Sequence, residues 1–271
     1  IRTGHDFANY KRPTLVRRIA RHLQIHETDD LKVYLEILRE KPDEVLSLLK
    51  NLLINVTNFF RDKEAFKTLE KKVIPALFED KGADDQVRVW IAGCASGEEA
   101  YSMAILLSEY AATLPNPPKI QIFASDVDDE AIAEAREGHF TETIVSDVSP
   151  ERLRLYFVKD EDGYRIRKSI REMILFAPHN ILRDPPFSRL DLVSCRNVLI
   201  YLNRETQEKV LQVFHFALRD NGYLFLGSSE SADGQPNNFS AIDKKHRIYQ
   251  CRPTSESWNA PPALPVPGVW R

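Results

Sequence analysis

The sequence lacks the features that mark several large classes of protein. It has no run of about 18 uninterrupted apolar residues, so no transmembrane helix is predicted. The three cysteines, Cys94, Cys195 and Cys251, are odd in number and form no CxxC pair, which argues against a disulfide framework or a structural zinc site. No HExxH pattern occurs, and no metal is predicted. We therefore expect a cytoplasmic protein without a metal.

An excess of charge of one sign is also lacking. The 271 residues contain 37 Lys and Arg against 40 Asp and Glu, a formal net charge of −3. This balance gives no overall attraction for nucleic acid or an anionic membrane, so we expect no nucleic-acid partner and no direct membrane insertion. The hydrophobic content of 43% is ordinary for a chain with one large or two modest cores.

The first part of the chain has the periodicity of helices. Apolar residues recur three and four positions apart after Pro13, Asp30 and Pro42, which predicts three short amphipathic helices. We assign residues 1–70 to an N-terminal helical domain. On its first helix, three arginines lie at helical spacing, namely Arg17, Arg18 and Arg21. They form either a solvated helix face or a docking surface for an acidic helix.

From about Val87 onward, short apolar runs alternate with helical patterns, which is typical of a parallel sheet covered by helices. We predict an α/β fold with a doubly wound, mostly parallel sheet over residues 71–252. The predicted strands are Val87–Ala92, Ile120–Ser125, Ile174–Ala177, Leu190–Ser194 and Tyr223–Gly227. The predicted helices are Glu98–Ala111, Glu130–Glu137 and Glu205–Leu218.

Two segments depart from this rhythm. The turn-like Asp160–Gly163 is followed by the alternating Tyr164–Arg167, which predicts a small antiparallel β insertion at about residues 140–172. Residues 253–271 contain five prolines and are predicted to be a Pro-rich tail.

A glycine-containing turn, residues 93–97, follows the first predicted strand. In an open parallel sheet such a turn brings backbone N–H groups close to a cofactor. Gly93 and Gly97 are spaced GxxxG rather than GxGxxG, so the close approach of a dinucleotide's pyrophosphate is not encoded. The pattern favours a cofactor without phosphates. A nicotinamide-dependent oxidoreductase is the competing interpretation, supported by the strand–turn–helix pattern and the acidic Asp126.

Polar residues that follow predicted strands are candidate ligands, each with a simpler alternative. Asp126 suits both hydroxyls of a ribose, or it caps the next helix. Glu98 suits the ammonium or sulfonium charge of a methionine-type cofactor, or it complements a helix dipole. Asn180 and Asn197 suit the edge of an adenine, or they are turn residues.

Four motifs, in order, resemble the chemotaxis-receptor glutamate methyltransferase family. They are NVTNFFRD (residues 55–62), AGCASGEEAYS (92–102), FASDVD (123–128) and SCRNVLIYL (194–202). The resemblance extends from about residue 7 to residue 250. It implies transfer of a methyl group from S-adenosyl-L-methionine to glutamate side chains on the cytoplasmic helices of chemoreceptors. The products are glutamate methyl esters and S-adenosyl-L-homocysteine.

The resemblance also implies roles for individual residues. The residues expected to hold the donor, together with the turn at Gly93, are Asn55, Thr57, Arg61, Glu98, Asp126, Asn180, Ile181, Asn197 and Val198. Arg61 and Tyr201 are expected to align the reacting groups, and the family's basic first helix favours receptor docking by Arg17, Arg18 and Arg21. Family members tethered to a receptor's carboxyl-terminal peptide have a longer loop than 159–163, so tethering is not expected.

An alternative within the same resemblance is a non-catalytic S-adenosylmethionine-binding regulatory domain of a larger signalling protein. The opening segment IRTGHDFANYK is similar to versions of the family joined to other signalling modules. This alternative predicts binding of the donor without turnover on any receptor.

Overall fold

In a computed structural model of the chain, the structure describes residues 6–53 and 56–253. These residues form two compact units. The first lies within Ile1–Asn55 and includes Ile200–Gln207, and the second comprises Val56–Leu199 and the chain from Glu208 onward. The predicted limit of the helical domain at residue 70 stays a prediction. Asn55 and the predicted tail beyond residue 253 lie outside the described residues.

The first unit contains α1 (Arg12–Ile25), α2 (Leu31–Glu40) and α3 (Pro42–Leu52), as the periodicity predicts. A proline lies in the first turn of α1 and of α3, where its missing N–H leaves no helical hydrogen bond unmade. The carboxylate of Asp30 caps α2 by accepting a 2.7 Å hydrogen bond from the backbone N–H of Lys32. Each helix therefore begins where its sequence provides a start signal.

The interior of this unit is polar as well as apolar. The Glu44 carboxylate accepts a 2.7 Å hydrogen bond from the Tyr34 hydroxyl and lies 2.7 Å from His22 Nδ1 and 3.0 Å from His26 Nε2. His22 and Tyr34 are buried. Burial opposes ionisation of Glu44, but the hydrogen bonds from Tyr34, His26 and His22 together hold its pKa below the ordinary value of 4.5. Several large apolar side chains of the unit are instead exposed, including Val16.

The second unit is built on a seven-stranded sheet. Its strands are β1 (Gln86–Ala92), β2 (Lys119–Asp126), β6 (Ile174–Pro178), β7 (Leu190–Cys195), β8 (Leu218–Leu226), β9 (Phe239–Asp243) and β10 (Ile248–Cys251). The order is β6-β2-β1-β7-β8-β10-β9. The first five in this order pair in parallel, and β10 pairs antiparallel with β8 and β9. The predicted α/β class with a mostly parallel sheet is confirmed.

Helices and a second sheet complete the unit. The helices are α4 (Lys63–Lys72), α5 (Ile74–Phe78), α6 (Glu98–Ala111), α7 (Asp129–Glu137), α8 (Pro150–Tyr156), α9 (Lys168–Arg171) and α10 (Arg204–Ala217), whose first turn belongs to the first unit. Short 3-10 turns span Glu142–Ser146 and Leu199–Tyr201. The strands β3 (His139–Phe140), β4 (Phe157–Lys159) and β5 (Tyr164–Ile166) form an antiparallel sheet in the order β3-β5-β4. The predicted β insertion is confirmed.

The strand order locates the cofactor edge of the main sheet. From β1 the chain runs outward through β2 to β6, then crosses back to β7 on the other side of β1 and continues to β8. In open α/β sheets, ligands bind beyond the carboxyl ends of the strands, at the point where the strand order reverses. That point lies between β1 and β7. None of the helices in the described part of the chain has the length and apolar character that a membrane crossing requires.

Candidate functional site

The turn after β1 holds its backbone close to the end of β2. The backbone N–H groups of Gly93 and Cys94 both donate to the carbonyl of Ser125, at 2.7 and 3.0 Å. Gly93 has φ = 77° and Gly97 has φ = 96°, in the left-handed region that favours glycine. A Cβ on Gly93 would overlap the side chain of Val198. The turn therefore brings Gly93 against Val198, and both residues are predicted to contact the methyl donor. Gly93 itself is exposed.

Asp126 is the last residue of β2, and its side chain links the end of β2 to the turn that follows β1. Its carboxylate accepts hydrogen bonds from the backbone N–H groups of Ala95 (2.9 Å) and Asp128 (3.0 Å). Burial nevertheless raises its pKa above the ordinary 3.8, although these backbone hydrogen bonds lower it. The cap of α7 is Asp128, which accepts from the backbone of Glu130 at 3.0 Å. Helix capping, which was the simpler alternative for Asp126, is therefore the role of Asp128.

Glu98 and Glu99 begin α6, and their side chains make different contacts. Glu98 accepts a 2.8 Å hydrogen bond from the hydroxyl of Ser96, and burial raises its pKa above 4.5, with a further contribution from the negative charge of Glu134. Glu99 accepts a 2.6 Å hydrogen bond from the hydroxyl of Ser194 on β7. Glu98 is thus a partly buried carboxylate beside the glycine turn, where a cationic ligand would favour its ionised form.

The two asparagines that follow strands have different surroundings. The side-chain oxygen of Asn180 accepts a 2.9 Å hydrogen bond from the backbone of Leu182, which is the contact of a turn residue. Asn197 has φ = 62°, and its backbone N–H donates to the carboxylate of Glu230 at 2.9 Å. The Asn197 side-chain oxygen is buried and has no hydrogen-bond partner among the described residues. A buried acceptor without a partner fits the edge of a bound base.

The remaining predicted site residues divide between the two units. Thr57, Arg61 and Ile181 are half-buried in the second unit, and Arg61 Nη1 donates to the carbonyl of Val56 at 3.0 Å. Tyr201 lies in the first unit, where its carbonyl accepts a 2.8 Å hydrogen bond from the backbone of Lys11. The three arginines of α1 are also in that unit: Arg17 and Arg21 are exposed, and Arg18 is half-buried.

Some residues that organise this edge were not among the predicted site residues. Arg196, Asp62 and Ser194 hold it together through buried or partly buried hydrogen bonds. The sequence signal was a polar pair, Ser194 and Arg196, at the end of a strand that is otherwise apolar except for Asp191. Spacing alone does not reveal the partner of such a residue, because Asp62 and Arg196 are distant in sequence.

The cysteines of this edge are not nucleophiles. Cys94 and Cys195 are buried, and burial raises the pKa of both thiols well above the ordinary 9.0. A thiol held in its neutral form is a poor nucleophile at neutral pH. Within the described ranges, no group of three or more His, Cys, Asp or Glu side chains is arranged to hold a metal ion.

The fold and this edge define a class of protein. A mostly parallel seven-stranded sheet, a glycine turn after the first strand and a carboxylate after the second are the arrangement of an α/β methyltransferase of the S-adenosylmethionine-binding type. The residues present fit that donor. Asp126 can accept from ribose hydroxyls, Glu98 can face a positive charge, and Asn197 has a buried amide oxygen without a partner.

Comparison with known proteins identifies the family. Residues 55–248 match the model described as "CheR methyltransferase, SAM binding domain", and residues 1–53 match "CheR methyltransferase, all-alpha domain". The chain belongs to the CheR methyltransferase family. Because the matched domain binds S-adenosylmethionine, the nicotinamide interpretation loses its support.

Individual relatives differ in how much of their length this chain covers. An uncharacterized 104.1 kDa protein of Rhodobacter capsulatus is 44% identical over 245 residues, which are 90% of this chain and 26% of that protein. A chemotaxis protein methyltransferase of Listeria monocytogenes is 34% identical over 84% of each chain. One of Escherichia coli is 31% identical over 91% of this chain and 84% of its own length. This chain therefore spans about a quarter of the Rhodobacter protein and most of the other two.

Proposed function

We propose that the protein methylates glutamate side chains on the cytoplasmic helices of chemoreceptors, with S-adenosylmethionine as donor, in the cytoplasm. The observation that carries the proposal is the pair of carboxylates Glu98 and Asp126 at the reversal point of the sheet, both with pKa values raised by burial. Such carboxylates favour a ligand with positive charge and hydroxyl donors. Relatives named chemotaxis protein methyltransferase support glutamate as the acceptor.

The chemistry needs little help from acid–base groups. When bound, S-adenosylmethionine would supply a methyl group activated by its sulfonium, with S-adenosylhomocysteine as the leaving group and the acceptor carboxylate as the nucleophile. Because a glutamate is ionised at neutral pH, no general base is required. The protein's part is to hold the reacting atoms in line and to exclude water, effects that contribute several kcal/mol when the geometry is tight.

The proposed roles follow from chemistry and position. Asp126 binds the ribose hydroxyls, and Glu98 binds the ammonium group or offsets the sulfonium charge. Asn197 accepts from the base, whereas Asn180 contributes its amide N–H because its oxygen is used in a turn. Arg61 and Tyr201 align the acceptor. The other proposed donor contacts are Asn55, Thr57, Gly93, Ile181 and Val198.

The receptor is proposed to dock on the basic face of α1. Arg17 and Arg21 are exposed there and suit an acidic helix. The β4–β5 turn, Asp160–Gly163, is closed by a 3.0 Å hydrogen bond from the backbone N–H of Asp160 to the carbonyl of Gly163. This short turn supports recognition without a carboxyl-terminal peptide tether.

A second candidate is a non-catalytic donor-binding domain within a larger signalling protein, and its larger size is matched by the Rhodobacter relative, of which this chain covers 26%. Two measurements separate the candidates. Calorimetry with S-adenosylmethionine tests donor binding, and base-labile release of radiolabelled methyl groups tests transfer to a panel of chemoreceptor cytoplasmic fragments. The control fragments have their helical glutamates replaced by alanine. Binding with turnover supports the methyltransferase, binding without turnover on any fragment supports the regulatory domain, and absence of binding to the folded protein excludes both.

A further inference from the structure

Three segments of the proposed donor site meet at one buried side chain, the guanidinium of Arg196. Its Nη2 donates to the carboxylate of Asp62 at 2.6 Å and to the carbonyl of Arg61 at 2.9 Å. Its Nη1 donates to the carboxylate of Glu99 at 3.2 Å. One arginine thus joins the end of β7 to the 56–62 segment and to the first turn of α6.

The position of this guanidinium is tightly constrained. The Arg196 side chain is only 1% exposed, and its charged carbon lies 5.2 Å from the ring centre of Phe66 and 4.7 Å from that of Phe225. Contact with two aromatic rings restricts the movement of the guanidinium and so the directions of its donors. Glu99 is fixed in turn by the 2.6 Å hydrogen bond from Ser194. The cluster of Arg196, Asp62 and Glu99, called the joint below, is therefore held more rigidly than a surface ion pair.

Each member of the joint is next in sequence to a residue that is proposed to hold the donor or align the acceptor. Asp62 follows Arg61, Glu99 follows Glu98, and Arg196 precedes Asn197. One carboxylate oxygen of Asp62, one of Glu99 and the carbonyl of Arg61 each accept a hydrogen bond from Arg196, so these groups serve the joint. A shift of the guanidinium would move all three segments together.

We propose that Arg196 is a positioning residue that sets the relative placement of the 56–62 segment, the glycine turn with α6, and the 197–198 segment, and thereby the affinity for the methyl donor. The proposal rests on the proposed function, because it takes S-adenosylmethionine as the ligand of these segments. Arg196 acts through its neighbours. A merely structural ion pair would change the stability of the fold without selectively changing donor binding.

The sharpest test is Asp62→Asn. The Asp62 side chain is 44% exposed and its backbone has φ = 62°, a conformation that Asn tolerates well. The change therefore removes the charge while keeping shape and backbone preference. The matched control is Glu64→Gln, which removes one exposed negative charge two residues later, where Glu64 pairs with the exposed Lys67.

We expect Asp62→Asn to raise the dissociation constant of S-adenosylmethionine about fivefold, the loss expected for one partly exposed ion pair, and to lower the melting temperature of the donor-free protein by no more than a few degrees. Glu64→Gln should leave both quantities unchanged. Arg196→Lys keeps the charge but not the forked contacts, and we expect a larger loss of affinity. In the double variant the two losses should fall short of adding, because both changes break one contact.

The outcomes separate the two proposals. A wild-type protein that does not bind S-adenosylmethionine refutes the proposed function, and the positioning role falls with it. A wild-type protein that binds the donor, with Asp62→Asn binding equally well, refutes the positioning role alone. Equal weakening by Asp62→Asn and Glu64→Gln, or strictly additive losses in the double variant, also refutes it. If Arg196→Lys fails to fold, the comparison of Asp62→Asn with Glu64→Gln still decides.

Discussion

Partly buried carboxylates in the two units of the molecule have pKa values shifted in opposite directions. In the helical unit, hydrogen bonds from Tyr34, His26 and His22 outweigh burial and lower the pKa of Glu44. At the carboxyl edge of the main sheet, burial outweighs the hydrogen bonds of Glu98 and Asp126 and raises their pKa values. Glu44 therefore has its partners within the fold, whereas the sheet-edge carboxylates are better suited to a partner that arrives. We therefore propose that Glu44 stabilises the fold and that Glu98 and Asp126 are available to a ligand.

The largest effect that would test this comparison is expected from Glu44→Ala. The change leaves His22, His26 and Tyr34 in the interior of the helical unit without their shared acceptor, at a cost of about 2–3 kcal/mol. Hydrogen exchange measured by mass spectrometry should show faster exchange in α1–α3, with β1 and β2 unchanged. The control is Glu36→Ala, which removes an exposed carboxylate paired with Arg39. Equal exchange in both variants would show that Glu44 does not stabilise the unit.

The next effect concerns the sheet edge. Asp126→Ala should weaken binding of S-adenosylmethionine by about 1–3 kcal/mol, because it removes a charge-assisted acceptor for the donor's hydroxyls. Calorimetry gives the dissociation constant. The control, Asp128→Ala, removes the cap of α7 and should cost about 1 kcal/mol of stability while donor affinity is kept. An unchanged dissociation constant in Asp126→Ala would remove this residue from the site.

Most of the fold could be predicted from the sequence because its signals are local. The limits of α6 agree with the prediction at both ends, since the glycine turn and the apolar periodicity mark them. The antiparallel pair β9 and β10 was not predicted, and the predicted last strand, Tyr223–Gly227, begins at Leu218. The strands β9 and β10 are short and mixed in polarity, so their own pattern is weak, and they are held in the sheet by the pairing of β10 with β8 and of β9 with β10.

The candidate site also contains residues that the sequence predicts and contacts that it does not. The glycine turn, Glu98 and Asp126 could be proposed from the sequence, because each lies at or directly after the end of a strand or turn. Arg196 also follows a strand, but its partners Asp62 and Glu99 lie far away in sequence and are brought to it by the strand order, so its contacts have no local signal. Nor could spacing show that Asn180 uses its oxygen in a turn while Asn197 has a buried oxygen without a partner. The chemical type of a side chain at a strand end can be predicted from the sequence, whereas its hydrogen-bond partners depend on the order of the strands.

A smaller effect is the dependence of donor binding on pH. The raised pKa values of Glu98 and Asp126 mean that these groups gain protons at a higher pH than ordinary carboxyls, whose values are 4.5 and 3.8. The donor favours their ionised forms, so its affinity should fall as the pH drops through the raised values, by up to about tenfold per pH unit for each group. Calorimetry over a pH series measures this fall, and Glu98→Gln should flatten it. An identical profile in Glu98→Gln would assign the titration to another group.

The stability of the helical unit and the stability of the donor-free sheet edge should respond to pH with opposite signs. Because the pKa of Glu44 is lowered, its stabilising contribution is present above 4.5 and is lost as the pH falls through the lowered value. For Glu98 and Asp126 the raised pKa values make the donor-free sheet edge less stable as the pH rises. Because the pKa of Glu98 is raised above 4.5, donor affinity should decline over a range of pH above 4.5 in which Glu44 still stabilises α1–α3. Loss of helical structure at the same pH as donor affinity would contradict the separation of the two clusters.

The smallest effect is expected on the surface of the helical unit. Arg17 and Arg21 are exposed, so reversing both charges (Arg17→Glu with Arg21→Glu) should leave the fold and donor affinity unchanged. If this face docks an acidic receptor helix, the KM for a receptor fragment should rise several-fold at low salt, and the difference should shrink as salt screens the charges. Arg18 is left intact because it is half-buried.

The control for this prediction is a second double reversal, Lys32→Glu with Lys41→Glu, at two exposed lysines of the same unit. Both variants change the net charge equally, so a rise in KM confined to the α1 pair identifies a docking surface, whereas an equal rise in both reflects overall charge. No rise in either would leave the α1 arginines as a solvated face. Because donor affinity is measured in the same proteins, the result also shows whether the helical unit recognises the acceptor while the sheet edge binds the donor.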